Sequence, residues 1–209
     1  MPGRFVTFEG GEGAGKSTQV RRLVEALRAR GIEAVQTREP GGSPGAEEIR
    51  RLLVEGGTGR WDGVAELLLH YAARRDHLLR TVQPALGAGA WVVSDRFADS
   101  SMAYQGYGHG LGRDPVEALH RVAVGDFRPD LTLILDLPVE LGLARAAGRG
   151  GAEDRYERMD RAFHERLRRG FLDIAAREPG RCAVIDATRD PDAVHAEVLA
   201  AVDARLGAP

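Results

Sequence analysis

Between Gly10 and Thr18 the chain reads Gly-Gly-Glu-Gly-Ala-Gly-Lys-Ser-Thr, which satisfies the spacing G-x-x-x-x-G-K-[ST]. No other stretch limits the possible fold so tightly. Ahead of it, Phe5-Val6-Thr7-Phe8 predicts a short buried strand. Behind it, Val20, Leu23, Val24 and Leu27 recur on one face of a helix that stops at Gly31. A strand, a glycine turn and a helix N-terminus in that order form a cup for a phosphate chain. The glycines let backbone N–H groups approach oxygens closely, and the helix end adds positive potential. Lys16 is placed to reach the β/γ-phosphates, and the Ser17 hydroxyl to hold Mg²⁺. Lys16 is also the only lysine in the chain, every other long basic residue being arginine. The compact ammonium is kept where arginine's planar fork would not fit. Gly10, Gly11, Glu12, Gly13, Ala14, Gly15, Lys16, Ser17 and Thr18 are therefore expected to bind a nucleoside triphosphate.

The remainder extends this α/β beginning. Apolar runs at Ala34-Val35, Trp91-Val92-Val93, Leu131 to Leu135 and Ala183-Val184-Ile185 predict four further strands. Helical patterns separate them, as in a parallel sheet covered on both faces. Ser43-Pro44, Asp114-Pro115 and Asp190-Pro191 each pair an N-cap with a proline at the first helical position. Asp62 is expected to cap a long helix carrying Leu67, Leu68, Tyr71, Leu78 and Leu79. With 209 residues and no Ser/Gly-rich linker, the expectation is one domain over 1–209. The formal charge of −2, spread over mixed charges, argues against a dedicated nucleic-acid or membrane surface. No apolar run is long enough to span a bilayer, and the first strand begins without a signal peptide. Cys182, alone in an apolar run, excludes a disulfide framework and suits a reducing compartment, so the expected location is the cytoplasm.

In an open α/β sheet ligands sit beyond the carboxyl ends of the strands, so those ends are where chemistry is expected. The second strand ends in Thr37-Arg38-Glu39-Pro40-Gly41-Gly42. Arg38 fits either a solvated loop arginine or a phosphate clamp. Pro40 invites a rigid turn with cis as an open alternative, and the trans isomer is the base expectation for an X-Pro bond. The third strand ends in Ser94-Asp95-Arg96-Phe97. Asp95 is suited to hold Mg²⁺ through water, and Arg96 to grip a second phosphate.

Taken in order, these pieces resemble the bacterial-type thymidylate kinases. The resemblance rests on Phe8 to Thr18, Thr37 to Gly42, Tyr71-Ala72-Ala73-Arg74, Asp95-Arg96-Phe97, Ala103-Tyr104-Gln105-Gly106, Arg128-Pro129-Asp130-Leu131 and Ile185-Asp186-Ala187. It implies the P-loop nucleoside-monophosphate kinase fold: a five-stranded parallel sheet flanked by helices, with a mobile lid at about 144–157. It also implies phosphorylation of dTMP to dTDP by ATP and Mg²⁺, and a homodimer formed through helices. By the same resemblance Glu12 approaches the acceptor's 3′-hydroxyl, and Arg38, Arg74 and Arg96 clamp the acceptor, with Arg74 reaching the thymine. Ser101, Tyr104 and Gln105 lie beside base and sugar, the tyrosine crowding the 2′ position. The alternatives are that Arg74 pairs with a neighbouring carboxylate on its helix face and that Tyr104 is ordinary packing; the whole pattern favours the binding roles. At the position of His70 the family usually carries a phenylalanine that stacks under thymine; an imidazole is smaller and takes a proton near neutral pH.

Past the fourth strand, glycines at 148, 150 and 151 sit among Arg145, Arg149 and Arg155. This reads either as a solvated loop or as a lid that brings an arginine to the transferring phosphoryl group. Bacterial-type thymidylate kinases carry the catalytic arginine in the lid, which implies Arg155 first and Arg149 second. Asp186-Ala187-Thr188 resembles the turn beneath adenine. Another small kinase of this fold, acting on a different nucleoside monophosphate or on a nucleoside, has the same phosphate loop. A GTPase switch needs Asn-Lys-x-Asp, and the chain has no asparagine; a transporter ATPase needs Leu-Ser-Gly-Gly-Gln, also missing.

Overall fold

A computed structural model describes residues 2–147 and 155–207. Five strands form one parallel sheet: β1 (Phe5–Glu9), β2 (Ala34–Arg38), β3 (Trp91–Asp95), β4 (Leu131–Asp136) and β5 (Cys182–Asp186), ordered β2-β3-β1-β4-β5. The apolar runs predicted all five. All five residues of the central β1 are buried, whereas the edge strands β2 and β5 bury only their first and fourth residues fully. That contrast follows from the sheet, since only an inner strand is covered on both faces and both edges.

The helices are α1 (Lys16–Ala29), α2 (Pro44–Val54), α3 (Gly63–His77), α4 (Gln83–Gly87), α5 (Ala98–Ser101), α6 (Arg113–Val124), α7 (Val139–Ala147), α8 (Arg161–Arg177) and α9 (Pro191–Leu206). On one face of the sheet, Val20, Leu23, Val24 and Leu27 of α1 and Val194, Val198 and Val202 of α9 pack with Val6, Phe8 and Leu133. On the other, Phe5 and Val92 meet Leu78, Val82 and Phe97, while Ile134 meets Tyr71, Tyr104, Phe163 and Phe171. Each such buried side chain contributes roughly 1.5–3 kcal/mol. No helix among the described residues is long and apolar enough to cross a membrane.

The caps hold in part. Asp62 accepts from Ala65 N at 2.7 Å, and Asp190 from Asp192 N and Ala193 N at 3.0 Å. Ser43 precedes Pro44 as expected, yet its hydroxyl donates to Asp76 (2.7 Å) instead of capping. Asp114 is no cap either: α6 begins one residue earlier, behind Gly112, because a glycine with positive φ already turns the chain there. The Glu39–Pro40 bond is cis, not trans; proline's tertiary amide leaves both isomers within reach, and no neighbouring residue announces the choice. Along the Asp62 helix, Leu67, Tyr71 and Leu78 are buried, but Leu68 and Leu79 are exposed. Two π-helical segments, Leu78–Val82 and Met102–Gly108, continue α3 and α5, and the second carries Tyr104 and Gln105 into the site.

Candidate active site

The phosphate loop leaves β1 at the middle of the sheet. Gly10 (φ 129°) and Gly13 (φ 68°) must be glycine twice over. A Cβ at Gly10 would run into the Leu135 carbonyl, and one at Gly13 into the Gly142 carbonyl of α7. Lys16 Nζ donates to Gly10 O (3.2 Å) and Gly11 O (2.8 Å), carbonyls that a bound phosphate would replace as its partners. Burial, then the neighbouring Arg96, pulls its pKa down to about 8, against the pull of Glu12 and Asp95. Ser17 Oγ donates to Asp95 Oδ2 at 2.6 Å. These two oxygen ligands fit a hard cation that keeps several waters and takes its other ligands from phosphates. Among the described residues there is no cluster of three or more His, Cys, Asp or Glu that could hold a metal ion.

A cleft of about 270 Å³ runs from this loop past Arg38, Glu39, Arg50, Asp95 and Arg96. Arg38 therefore faces the phosphate side, paired at 3.1 Å with Glu47. Arg96 has φ 73°, the only non-glycine among the described residues in that region, a strain of order 1–3 kcal/mol that surrounding bonds must hold. Its amide donates to Phe8 O (2.9 Å), Nη1 to Gly10 O (3.0 Å) and Ser100 Oγ (3.1 Å), and Nη2 to Glu12 Oε1 (3.0 Å). The guanidinium lies over the Tyr104 ring, 5.0 Å from its centre. Burial disfavours the Glu12 charge, but Arg96, Lys16 and the Tyr104 hydroxyl outweigh it and bring the pKa to about 2. Glu9 carries the opposite balance. Burial, and then Asp99, lifts its carboxyl to about 8 while it accepts from Phe97 N at 2.7 Å.

Across Arg96 lies a second pocket of about 120 Å³. Glu12, His70, Arg74, Arg96, Tyr104 and Gln105 line it as expected from sequence. So do Glu39, Pro40, Arg50, Val54, Phe97, Ser100 and Tyr156, none of which sequence reasoning named as lining it. Arg74 is buried, with Nε on Glu39 Oε2 (2.7 Å), Nη1 on Ser101 Oγ (3.0 Å) and Nη2 on Phe97 O (3.0 Å). The carboxylate paired with Arg74 thus comes from the turn after β2 and not from its own helix face, and Arg74 lines the pocket as well. Ser101 stands behind Arg74, and it is Ser100 that lines the pocket; the strained turn at Arg96 sets which serine faces inward. Gln105 Nε2 donates to the buried Glu66 at 2.7 Å.

His70 is corrected in one respect. Burial is the main cause holding its pKa down at about 4, so the ring is neutral near pH 7, and Nε2 lies 2.9 Å from the Tyr156 hydroxyl. Arg155, expected to come to the phosphates as the lid closes over both substrates, stands at Glu66 in the ligand-free chain: Nη1 reaches Glu66 Oε2 at 2.6 Å, and the carbonyls of Leu53, Gly57 and Thr58 each accept at 3.1 Å. A carboxylate buried as deeply as Glu66 demands such a cation. Arg149 and residues 148–154 of the expected lid lie outside the described residues. Asp186 Oδ1 accepts from Thr188 N (2.9 Å), and Arg145 donates to Ala187 O (2.8 Å), closing the turn expected beneath adenine.

A phosphate cradle that shares one arginine with a second pocket beside it is the layout of a phosphotransferase working between two nucleotides. Similarity to known proteins narrows the class. Residues 8–198 match the family model described as thymidylate kinase. A thymidylate kinase of Caulobacter vibrioides is 58% identical over 205 residues, 98% of each chain. One of Rhizorhabdus wittichii is 54% identical over 203 residues, 97% of this chain and 98% of that one. A crystal structure of thymidylate kinase from Ehrlichia chaffeensis has a TM-score of 0.77 at 36% identity, covering 97% of this chain and 99% of its own. This chain belongs to the thymidylate kinase family.

Proposed function

We propose that the protein transfers the γ-phosphoryl group of ATP to dTMP, giving ADP and dTDP for DNA synthesis. The observation that carries the base assignment is a polar edge in the acceptor pocket. Because Gln105 gives its amide hydrogen to Glu66, its carbonyl Oε1 is left buried in the pocket wall without a partner. Arg74 lines the same wall, and the second hydrogens on Nη1 and Nη2, beyond those given to Ser101 and the Phe97 carbonyl, are read as its donors to the base. An acceptor beside a donor complements N3–H and O4 of thymine, whereas cytosine offers the reverse pair. Val54, Pro40 and Phe97 give the apolar surroundings a methylated base favours. Tyr104, hydroxyl on Glu12, is read as the wall that crowds a ribose 2′-hydroxyl.

Lys16 and Arg96 are the positive charges set beside the transferring oxygens, and Arg38 the clamp on the acceptor phosphate side. Mg²⁺, held by Ser17 and Asp95, would neutralise charge between the β- and γ-phosphates. Val64 and Leu68 of α3, one turn apart, are each 53% exposed, and Val122 of the adjacent α6 is 83% exposed. That apolar face is our proposed homodimer contact; Leu68→Glu should convert a dimer into a monomer by sedimentation, and a monomeric wild type would contradict it. The proposed setting is the cytoplasm, where the buried Cys182 thiol stays free.

The base assignment is tested by calorimetric titration with dTMP, dCMP and 3-methyl-dTMP, which lacks the N3 hydrogen. dTMP should bind at least about a hundredfold tighter than either, because each analogue leaves a buried polar group unpaired. Equal affinities would refute the assignment.

A further inference from the structure

A buried polar chain runs from the wall of the acceptor pocket to the end of α3, and it supplies none of the groups assigned above to phosphoryl transfer. His77, at the end of α3, sets Nδ1 2.9 Å from Glu39 Oε1 and Nε2 2.6 Å from Thr37 Oγ1. The other Glu39 oxygen accepts from Arg74 Nε at 2.7 Å. A carboxylate only accepts, so the imidazole must donate through Nδ1 and turn Nε2 to the threonine. Thr37, His77, Glu39 and Arg74 are 8%, 0%, 5% and 1% exposed. Gly42 seals the chain: a Cβ there would lie 2.5 Å from Thr37 Oγ1 and 2.6 Å from His77 Nε2. Thr81 holds that seal by donating to the Gly42 carbonyl at 2.7 Å.

Burying these groups is costly, and an apolar set of equal volume would fill the space more cheaply. What the polar set adds is direction. Arg74 is gripped at three nitrogens and sandwiched between the Tyr71 ring (4.5 Å) and the Phe97 ring (5.2 Å), which leaves its guanidinium a single plane. Two of the three grips, Ser101 and the Phe97 carbonyl, come from the segment after β3. The third, Glu39, is the only charged one, and it depends on His77 to stay turned toward Arg74. Burial opposes the Glu39 charge, yet Arg74 and then His77 keep its carboxyl below the ordinary value and hence ionised.

We infer that Glu39 and His77 are positioning residues that hold the Arg74 guanidinium in the plane that reads the acceptor base, with Thr37 fixing the imidazole in turn. This rests on the reading that the pocket takes dTMP. Lys16, Ser17 and Arg96 are bonded elsewhere, so loosening the chain should spare the donor side. The test exploits the two faces of the ring: asparagine puts its amide nitrogen where Nδ1 stands, glutamine where Nε2 stands. His77→Gln should raise KM for dTMP about tenfold, the effect of losing a hydrogen bond to a charged group. It should also narrow the dTMP-to-dCMP preference, while kcat and KM for ATP stay within about twofold. His77→Asn should recover most of the dTMP affinity and the base preference.

If both variants behave alike, or if ATP and dTMP parameters fall together, His77 is merely packed and the inference is overturned. Thermal unfolding is followed alongside. Should His77→Gln fail to fold, Thr37→Val keeps the shape without the hydroxyl and should raise KM for dTMP about threefold, from one lost neutral hydrogen bond; no change would overturn the inference equally. A wild type without dTMP preference would instead refute the proposed function. A wild type that discriminates, with variants that discriminate as well, would refute only the positioning role.

Discussion

Replacing Arg155 by alanine separates two accounts of the segment after residue 154. In the structure its guanidinium is 1% exposed and meets a Glu66 carboxylate that is 0% exposed, at 2.6 Å. Alanine would leave Glu66 with Gln105 and His109 but no neighbouring guanidinium. Removing one partner of a buried pair costs about 3–5 kcal/mol, since the other charge stays buried. Of the three carbonyls it also serves, those of Gly57 and Thr58 lie in the part-buried loop after α2, where water can take over, while the buried Leu53 carbonyl is left unpaired and adds to the loss. In a protein of this size each kcal/mol moves the melting temperature by about 2–4 °C, which gives a fall of about 10 °C. The assay pairs ligand-free thermal unfolding with kcat at saturating substrates, well below the transition. Stability should drop by that amount, KM for dTMP should rise as Gln105 and Tyr156 loosen, and kcat should fall less than about tenfold. A variant with stability unchanged and kcat down by ~10³ would refute this, and would return Arg155 to the phosphates as the catalytic arginine.

Lys16→Met should abolish most phosphoryl transfer, by ~10³ or more, with little change in unfolding, because the ammonium is buried at a cost that shows in its lowered pKa. Gly142→Ala would set a Cβ 2.5 Å from the Glu12 carbonyl and push on the phosphate loop; kcat should fall about tenfold with the fold intact, and a normal kcat would mean that α7 yields freely. His70 should make stability depend on pH. Unfolded imidazole takes a proton near pH 6.5, but burial delays this in the fold to about pH 4. The unfolded state therefore binds more protons in between, and stability is lost as pH falls through that window. Urea unfolding of wild type should show up to about 1.4 kcal/mol per pH unit more slope than His70→Phe, less the screening from residual solvent exposure; parallel slopes would contradict it. The same neutral ring means that His70 adds nothing to the pH dependence of dTMP affinity from pH 6 to 8, so wild type and His70→Phe should give parallel profiles there.

The parts legible in the sequence are those that local pattern determines. Five apolar runs became five strands, and Gly10 to Thr18 became the phosphate loop, because periodicity and glycine spacing act within a few residues. The misses arise where a distant group decides. That Arg155 pairs with Glu66, 89 positions away in the chain, left no local signal beside the glycine-rich stretch it follows. Ser100 and Ser101 are indistinguishable in sequence, and the strained φ of Arg96 and the π-helical segment after them settle which one faces the pocket. His70 was expected to titrate near neutrality, and only its burial beside Tyr156 shows otherwise. Glu39 stands in a segment that did stand out, next to Arg38, yet its link to Arg74 crosses 35 positions and left no local signal.

The proposed activity is phosphorylation of dTMP through a pocket that reads the thymine edge. The direct measurement is initial-rate ADP release with MgATP across dTMP, dCMP, AMP, GMP and thymidine, at matched concentrations below saturation. The expected result is a kcat/KM for dTMP at least about a hundredfold above every other acceptor, with thymidine inert for want of a phosphate to hold. Comparable turnover of dCMP or of a purine monophosphate would contradict it.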